Sequence, residues 1–141
     1  MKIIAIVIAA TLLTACATAP VRYAAATPVS QSNLLEGYGN YSKPSVGYSR
    51  VIVVRDSGML GAASPAKLSI DGVAIAKLWS SERLELYLPP STYIFAVEPS
   101  PRLMGALVET TYEIKPGKSY GFRISIDAGS AFSFQQSTQL Q

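Results

Sequence analysis

The run AKLSIDGVAIAKL, residues 66–78, decides the fold. Leu68 and Ile70 alternate with Lys67 and Ser69, Asp71-Gly72 interrupts, and an apolar run returns over 73–78. Alternation with a period of two places Leu68 and Ile70 on one face of an extended strand. Asp-Gly between two such runs is a strong hairpin signal, because the turn needs positive φ at both central positions. The stretch therefore predicts two antiparallel strands and not a helix.

The same texture extends in both directions. RVIVVR at 50–55 is a continuous β-branched run, the mark of a strand buried on both faces. Leu84, Leu86 and Leu88 share one face, Pro89-Pro90-Ser91 breaks the strand, and Tyr93, Phe95 and Val97 align after it. A loop follows over 99–105. Val108, Thr110, Tyr112 and Ile114 then alternate against Glu109, Thr111 and Glu113, and Lys115-Pro116-Gly117-Lys118 turns the chain. Tyr120, Phe122, Ile124 and Ile126 read as inward, opposite Arg123, Ser125 and Asp127, and a short run at 131–135 closes an edge. About seven short strands at this spacing predict an all-β fold, a single antiparallel β-sandwich over 49–141. No stretch beyond residue 17 reads as a helix.

Residues 17–48 look different. They are rich in Ala, Ser, Thr, Pro, Gly and Asn, and no period of 2 or 3.6 persists. Such a segment reads as a flexible linker over 16–48 that cannot bury enough apolar surface to offset its ordering entropy. Tyr38, Tyr41 and Tyr48 stand out within it. They read as packing on the domain edge, with a docking strip for a protein or glycan as the alternative.

Hydrophobic residues make up 49% of the chain, and much of the excess over a soluble protein sits in the first fifteen residues. Lys2 is followed by an apolar run over 3–13, which as a helix reaches about 16 Å, short of the ~30 Å hydrocarbon core. Residues 1–15 therefore read as a cleavable export signal. Leu13-Thr14-Ala15-Cys16 resembles the lipobox of bacterial lipoproteins: an aliphatic residue, two small ones, then cysteine. In that family the thiol is joined to diacylglycerol, the chain is cut before the cysteine, and the new amino terminus is acylated. The resemblance implies that Cys16 is the lipidated first residue of the mature chain, and three acyl chains give a stable anchor. Ala17, in place of aspartate, implies the periplasmic face of the outer membrane.

A second resemblance rests on residues 67–98, KLSIDGVAIAKLWSSERLELYLPPSTYIFAVE, and on IKPGKSYGFRI at 114–124. These are similar to a family of small bacterial lipoproteins built on a domain of unknown function and, more distantly, to PEGA-type and carboxypeptidase-regulatory-like sandwich modules. Asp71-Gly72, Leu88-Pro89-Pro90 and Tyr93 match their turns, while Ser91-Thr92 replaces the usual glycine. The shared motifs are turn chemistry, so they imply a fold and not an activity.

Function classes narrow by exclusion. The chain has no histidine and one cysteine, which rules out an internal disulfide, His-based triads and Cys-based metal sites. Twelve basic residues face nine acidic ones; losing Lys2 with the leader leaves eleven against nine, scattered singly, which is no nucleic-acid footprint. Glu82, Arg83 and Glu85 read as a solvated edge. Ser69, Ser81 and Ser119 with Lys67, Lys77 and Lys118 leave a serine–lysine hydrolase as the weakest option. Trp79 is expected either to cap the core or, with the Arg102-Leu103-Met104 loop, to form an apolar partner contact. The expectation is a non-enzymatic envelope accessory module, without cofactor or metal, that contacts an envelope protein or peptidoglycan. The alternative is a small-ligand or lipid carrier, which needs an apolar cavity between the sheets.

Overall fold

At the turn between residues 70 and 73 Asp71 has φ +48° and Gly72 φ +80°, the positive pair that a type I′ hairpin requires. The computed structural model describes residues 18–59, 61–102 and 105–140. With the hairpin's own two strands, the described residues form nine strands: β1 (Thr27–Pro28), β2 (Ser49–Arg55), β3 (Ala66–Ile70), β4 (Val73–Leu78), β5 (Glu82–Leu88), β6 (Ser91–Pro99), β7 (Val108–Ile114), β8 (Ser119–Ile126) and β9 (Phe132–Gln136). They form two sheets, β1-β5-β2-β8-β9 and β4-β3-β6-β7. Pairing is antiparallel except for β1 with β5 and β2 with β8, which run parallel. The all-β sandwich is as expected, with nine strands in place of seven.

The core follows from the alternation. Val51 and Val53 of β2, Leu84, Leu86 and Leu88 of β5, and Phe122 and Ile124 of β8 pack with Leu68, Ile70, Phe95 and Val97 of the facing sheet. Phe95, Phe122 and Phe134 stack at the centre with ring centroids 5.0–5.3 Å apart, and Tyr112 meets Phe122 edge-on at 4.7 Å. One irregularity breaks the period. A bulge between β3 and β4 lets consecutive Ile75 and Ala76 both be buried.

The continuous run of β2 is buried on both faces, so something must cover its outer side. Ile52 and Val54 face a small second core made with Val21, Ala26 and Leu140. The C-terminal turn Thr138–Leu140 can approach only because residue 121 is glycine: a Cβ there would fall on Leu140 Cβ and the Ser137 carbonyl.

The N-terminal part of this cover corrects the flexible-linker expectation for residues 18–48. The Thr27 and Val29 amides donate to the Ser81 and Arg83 carbonyls at 3.0 Å, adding β1 to the sheet edge. Leu34 bridges Ala76 and the Leu35 amide donates to the Ile75 carbonyl at 2.9 Å, which shields the edge of β4. Tyr38 and Tyr41 pack on the main core, Tyr41 edge-on to Tyr93 at 6.3 Å, so these two serve packing and not a docking strip. Periodicity is silent here because the segment consists of three short 3₁₀ turns and a two-residue strand. Each of its anchors is satisfied by a partner far away in sequence.

Candidate functional site at the loop end

The two ends of the sandwich differ. At one end the strands are joined by short turns at 71–72, 89–90 and 115–118; at the other lie, among the described residues, 56–59, 61–65, 79–81, 100–102, 105–107 and 127–131. The first described residue, Thr18, is fixed to this second, loop-rich end. Its amide donates to the Ile126 carbonyl at 3.2 Å, and its Oγ1 accepts from the Ile126 amide at 3.0 Å. Ala19 and Ser57 exchange backbone hydrogen bonds of 2.6 and 3.0 Å beside it.

An apolar cavity of about 430 Å³ opens at this end, lined by Gly61, Ala63, Pro99, Pro101, Ile126 and Phe132. Local chemistry builds its walls. Ala66 pairs with Pro99, and the Ser100 amide donates to the Pro65 carbonyl, joining the roots of two loops. Asp127 Oδ1 accepts from the amides of Gly129 and Ala131, both at 2.9 Å, which shapes the loop before Phe132. Gly61 has φ +68°, and a Cβ there would strike Ile126 Cδ1, so the 56–65 loop needs glycine at that point.

Arg55 stiffens the structure behind the cavity. It is 1% exposed at the end of β2 and donates to three carbonyls: Ser64 at 2.9 Å and Leu78 and Gly61 at 2.7 Å. Its guanidinium lies 5.9 Å from the Phe132 ring centroid. Burial pushes its pKa down to about 10, opposed by the more distant Glu82 carboxylate. The group stays charged at neutral pH, with three carbonyl dipoles in place of a bonded carboxylate. Its Nε has no hydrogen-bond partner among the described residues. The sequence reading places 50–55 in a doubly buried strand but gives Arg55 no role of its own, because its carbonyl partners lie in the 56–65 loop and at the end of β4.

The expected contact residues fall as follows. Cys16, Leu103 and Met104 lie outside the described residues. Trp79 sits in the turn between β4 and β5, is 38% exposed and does not belong to the core, so it is not a core cap. Arg102 follows β6 at the same end, with β3 standing between β4 and β6. Its Nε is 3.5 Å from Glu98 Oε2, and Glu98 is also paired with Lys67. The structure thus brings Trp79 and Arg102 to one end, one strand apart.

The Glu82, Arg83 and Glu85 group is not the solvated edge expected. Arg50 grips Glu85 through Nε at 2.9 Å and Nη2 at 2.7 Å, and the hydroxyls of Tyr23 and Tyr87 donate to the same carboxylate at 3.2 and 2.6 Å. Arg50 above all, assisted by Tyr87 and Tyr23, lowers the Glu85 pKa from 4.5 to about 2. Arg83 lies 4.5 Å over the Tyr23 ring and donates to the Tyr23 and Ala26 carbonyls. These contacts clamp the N-terminal segment to β5. Glu82 instead accepts from the Trp79 amide at 2.8 Å and fixes that turn.

Chemically, the loop end offers an apolar hollow on a rigid base. Among the described residues no group of three or more His, Cys, Asp or Glu side chains is placed to hold a metal ion. No helix among them is long and apolar enough to cross a membrane. The chain matches no protein-family model and no curated protein.

Proposed function

We propose that this protein is a lipid-anchored, non-enzymatic module of the bacterial cell envelope, held by acyl chains on Cys16 at the periplasmic face of the outer membrane. The observation that carries this reading is Leu13-Thr14-Ala15-Cys16 behind a short apolar run. Supporting it, Thr18, two residues after the cysteine, is bonded to the end of β8, a sound mechanical link between anchor and domain. In this reading the sandwich is an accessory module for an envelope protein or peptidoglycan.

Intact-mass measurement and flotation with vesicles test the anchor. The mature protein should begin at Cys16 with a diacylglyceryl and an amide-linked acyl mass, and Cys16→Ser should lose both the mass and the flotation. An unmodified thiol in the mature wild-type chain would end the proposal. Crosslinking in cells with mass-spectrometric identification tests the partner; recovery of lipid alone would count against an accessory role.

The cavity of about 430 Å³ favours a second reading, a carrier of a small apolar ligand. Its location differs from the expectation, since the space between the sheets is filled by the Phe95, Phe122 and Phe134 stack. Native mass spectrometry separates the two: a retained apolar ligand supports carriage, and a bare protein supports the accessory module.

A further inference from the structure

We infer that the loop end is a docking surface for the phospholipid leaflet, so that the sandwich stands end-on against the membrane instead of hanging from a tether. The inference rests on lipidation of Cys16 as proposed above. Two residues of extended chain span at most about 7 Å, the farthest that Thr18 can stand from Cys16. Acyl chains on Cys16 place that residue at headgroup level. Thr18 is in turn bonded to Ile126, a residue of the cavity wall. The segment expected to lift the domain off the bilayer is instead built into the sheet edge, with Thr27 and Val29 bonded to Ser81 and Arg83. No spacer is left between anchor and domain.

Large apolar side chains are exposed on the short-turn side too, at Val46, Val73 and Ile94, so the anchor chooses the end and the loop end supplies the contact. Met59 is 90% exposed in the 56–65 loop, Leu107 is 37% exposed before β7, and Trp79 is 38% exposed in the β4–β5 turn. The apolar cavity opens among the same loops. Against water these groups leave apolar surface uncovered; against the headgroup and upper acyl region they bury it. A tryptophan with an apolar face and a polar N–H suits that boundary. The short turns at 71–72, 89–90 and 115–118 then face away from the membrane, free for a soluble partner.

Trp79 is the single tryptophan of the chain, which makes it a one-site probe. The full lipidated protein is reconstituted into phosphatidylethanolamine/phosphatidylglycerol vesicles carrying a nitroxide either on the headgroup or deep in the acyl chain. Its Trp79 emission is then compared with that in unlabelled vesicles. The expected result is loss of emission with the headgroup label, a smaller loss with the deep label, and partial recovery in Met59→Asp, which still floats. Flotation with no quenching by either label would overturn the docking surface and leave the anchor intact. Quenching unchanged in Met59→Asp would overturn it too, since Trp79 would then be near lipid through the anchor alone. Failure to float marks instead the failure of lipidation.

Discussion

Replacing Asp56 by alanine should loosen both ends of the described chain from the outer face of the β5-β2-β8 sheet. Asp56 is 4% exposed, and its Oδ1 receives Arg123 Nη1 at 2.7 Å and the Val21 amide at 3.2 Å. Arg123 also donates to the Val21 carbonyl at 2.9 Å and to Ser137 Oγ and Gln139 Oε1 at 3.3 Å. One ion pair thus holds the N-terminal segment and the C-terminal turn together. Without the carboxylate, a guanidinium whose side chain is 12% exposed loses its counter-charge and the Val21 amide loses its acceptor. Breaking a buried pair costs about 3–5 kcal/mol, and water reaching Arg123 brings the expectation to about 3 kcal/mol. At roughly 4 °C per kcal/mol for a domain of this size, the melting temperature should fall by about 12 °C. Urea unfolding gives the free energy, and hydrogen exchange at Val21 and Leu140 shows where the structure opens. Asp56→Leu/Arg123→Met, which removes both charges, should lose less than Asp56→Ala. A cost below about 1 kcal/mol for Asp56→Ala, with Val21 still protected, would refute the reasoning.

Other outcomes follow from separate contacts. Gly121→Ala should displace the Thr138–Leu140 turn at a cost of about 1–3 kcal/mol, seen as faster carboxypeptidase trimming and a lower urea midpoint. The Glu85 pKa is depressed on folding, so its stabilisation is complete above 4.5 and fades as pH falls toward about 2. Glu85→Gln should flatten that acid slope while costing at most about 1 kcal/mol at neutral pH, because the pair with Arg50 is roughly a third exposed. Arg55→Met leaves the carbonyls of Gly61, Ser64 and Leu78 without their donors and should cost about 3 kcal/mol in a denaturant titration.

Much of the sandwich is legible in the sequence, because its rules are local. Asp71-Gly72, the Pro89-Pro90 break and the alternating faces of β3, β5, β7 and β8 each need only a few neighbouring residues to be read. What escapes is long-range. The double burial of β2 implies a covering layer, yet nothing in the run names residues 18–26 and 138–140 as that layer. The segment before β2 looks like a linker by composition, because it is built from isolated anchors: Val21, Ala26, Leu34, Tyr38 and Tyr41. Arg55 and the Arg50–Glu85 clamp escape for the same reason, since their partners lie on other elements. The loop end is marked in advance only by Trp79 and the Arg102-Leu103-Met104 stretch, and its cavity depends on how the connections there converge.

Residues 18–48 are part of the folded domain, which leaves no spacer between Cys16 and the sandwich. Native-state hydrogen exchange on the full mature protein, resolved at the Thr27, Val29 and Leu35 amides, tests that claim directly. These amides donate to Ser81, Arg83 and Ile75. They should be protected far beyond unfolded-chain rates and open together with the edges of β4 and β5. Exchange of all three at unfolded-chain rates, with the β2 amides still protected, would restore the tether and contradict the account.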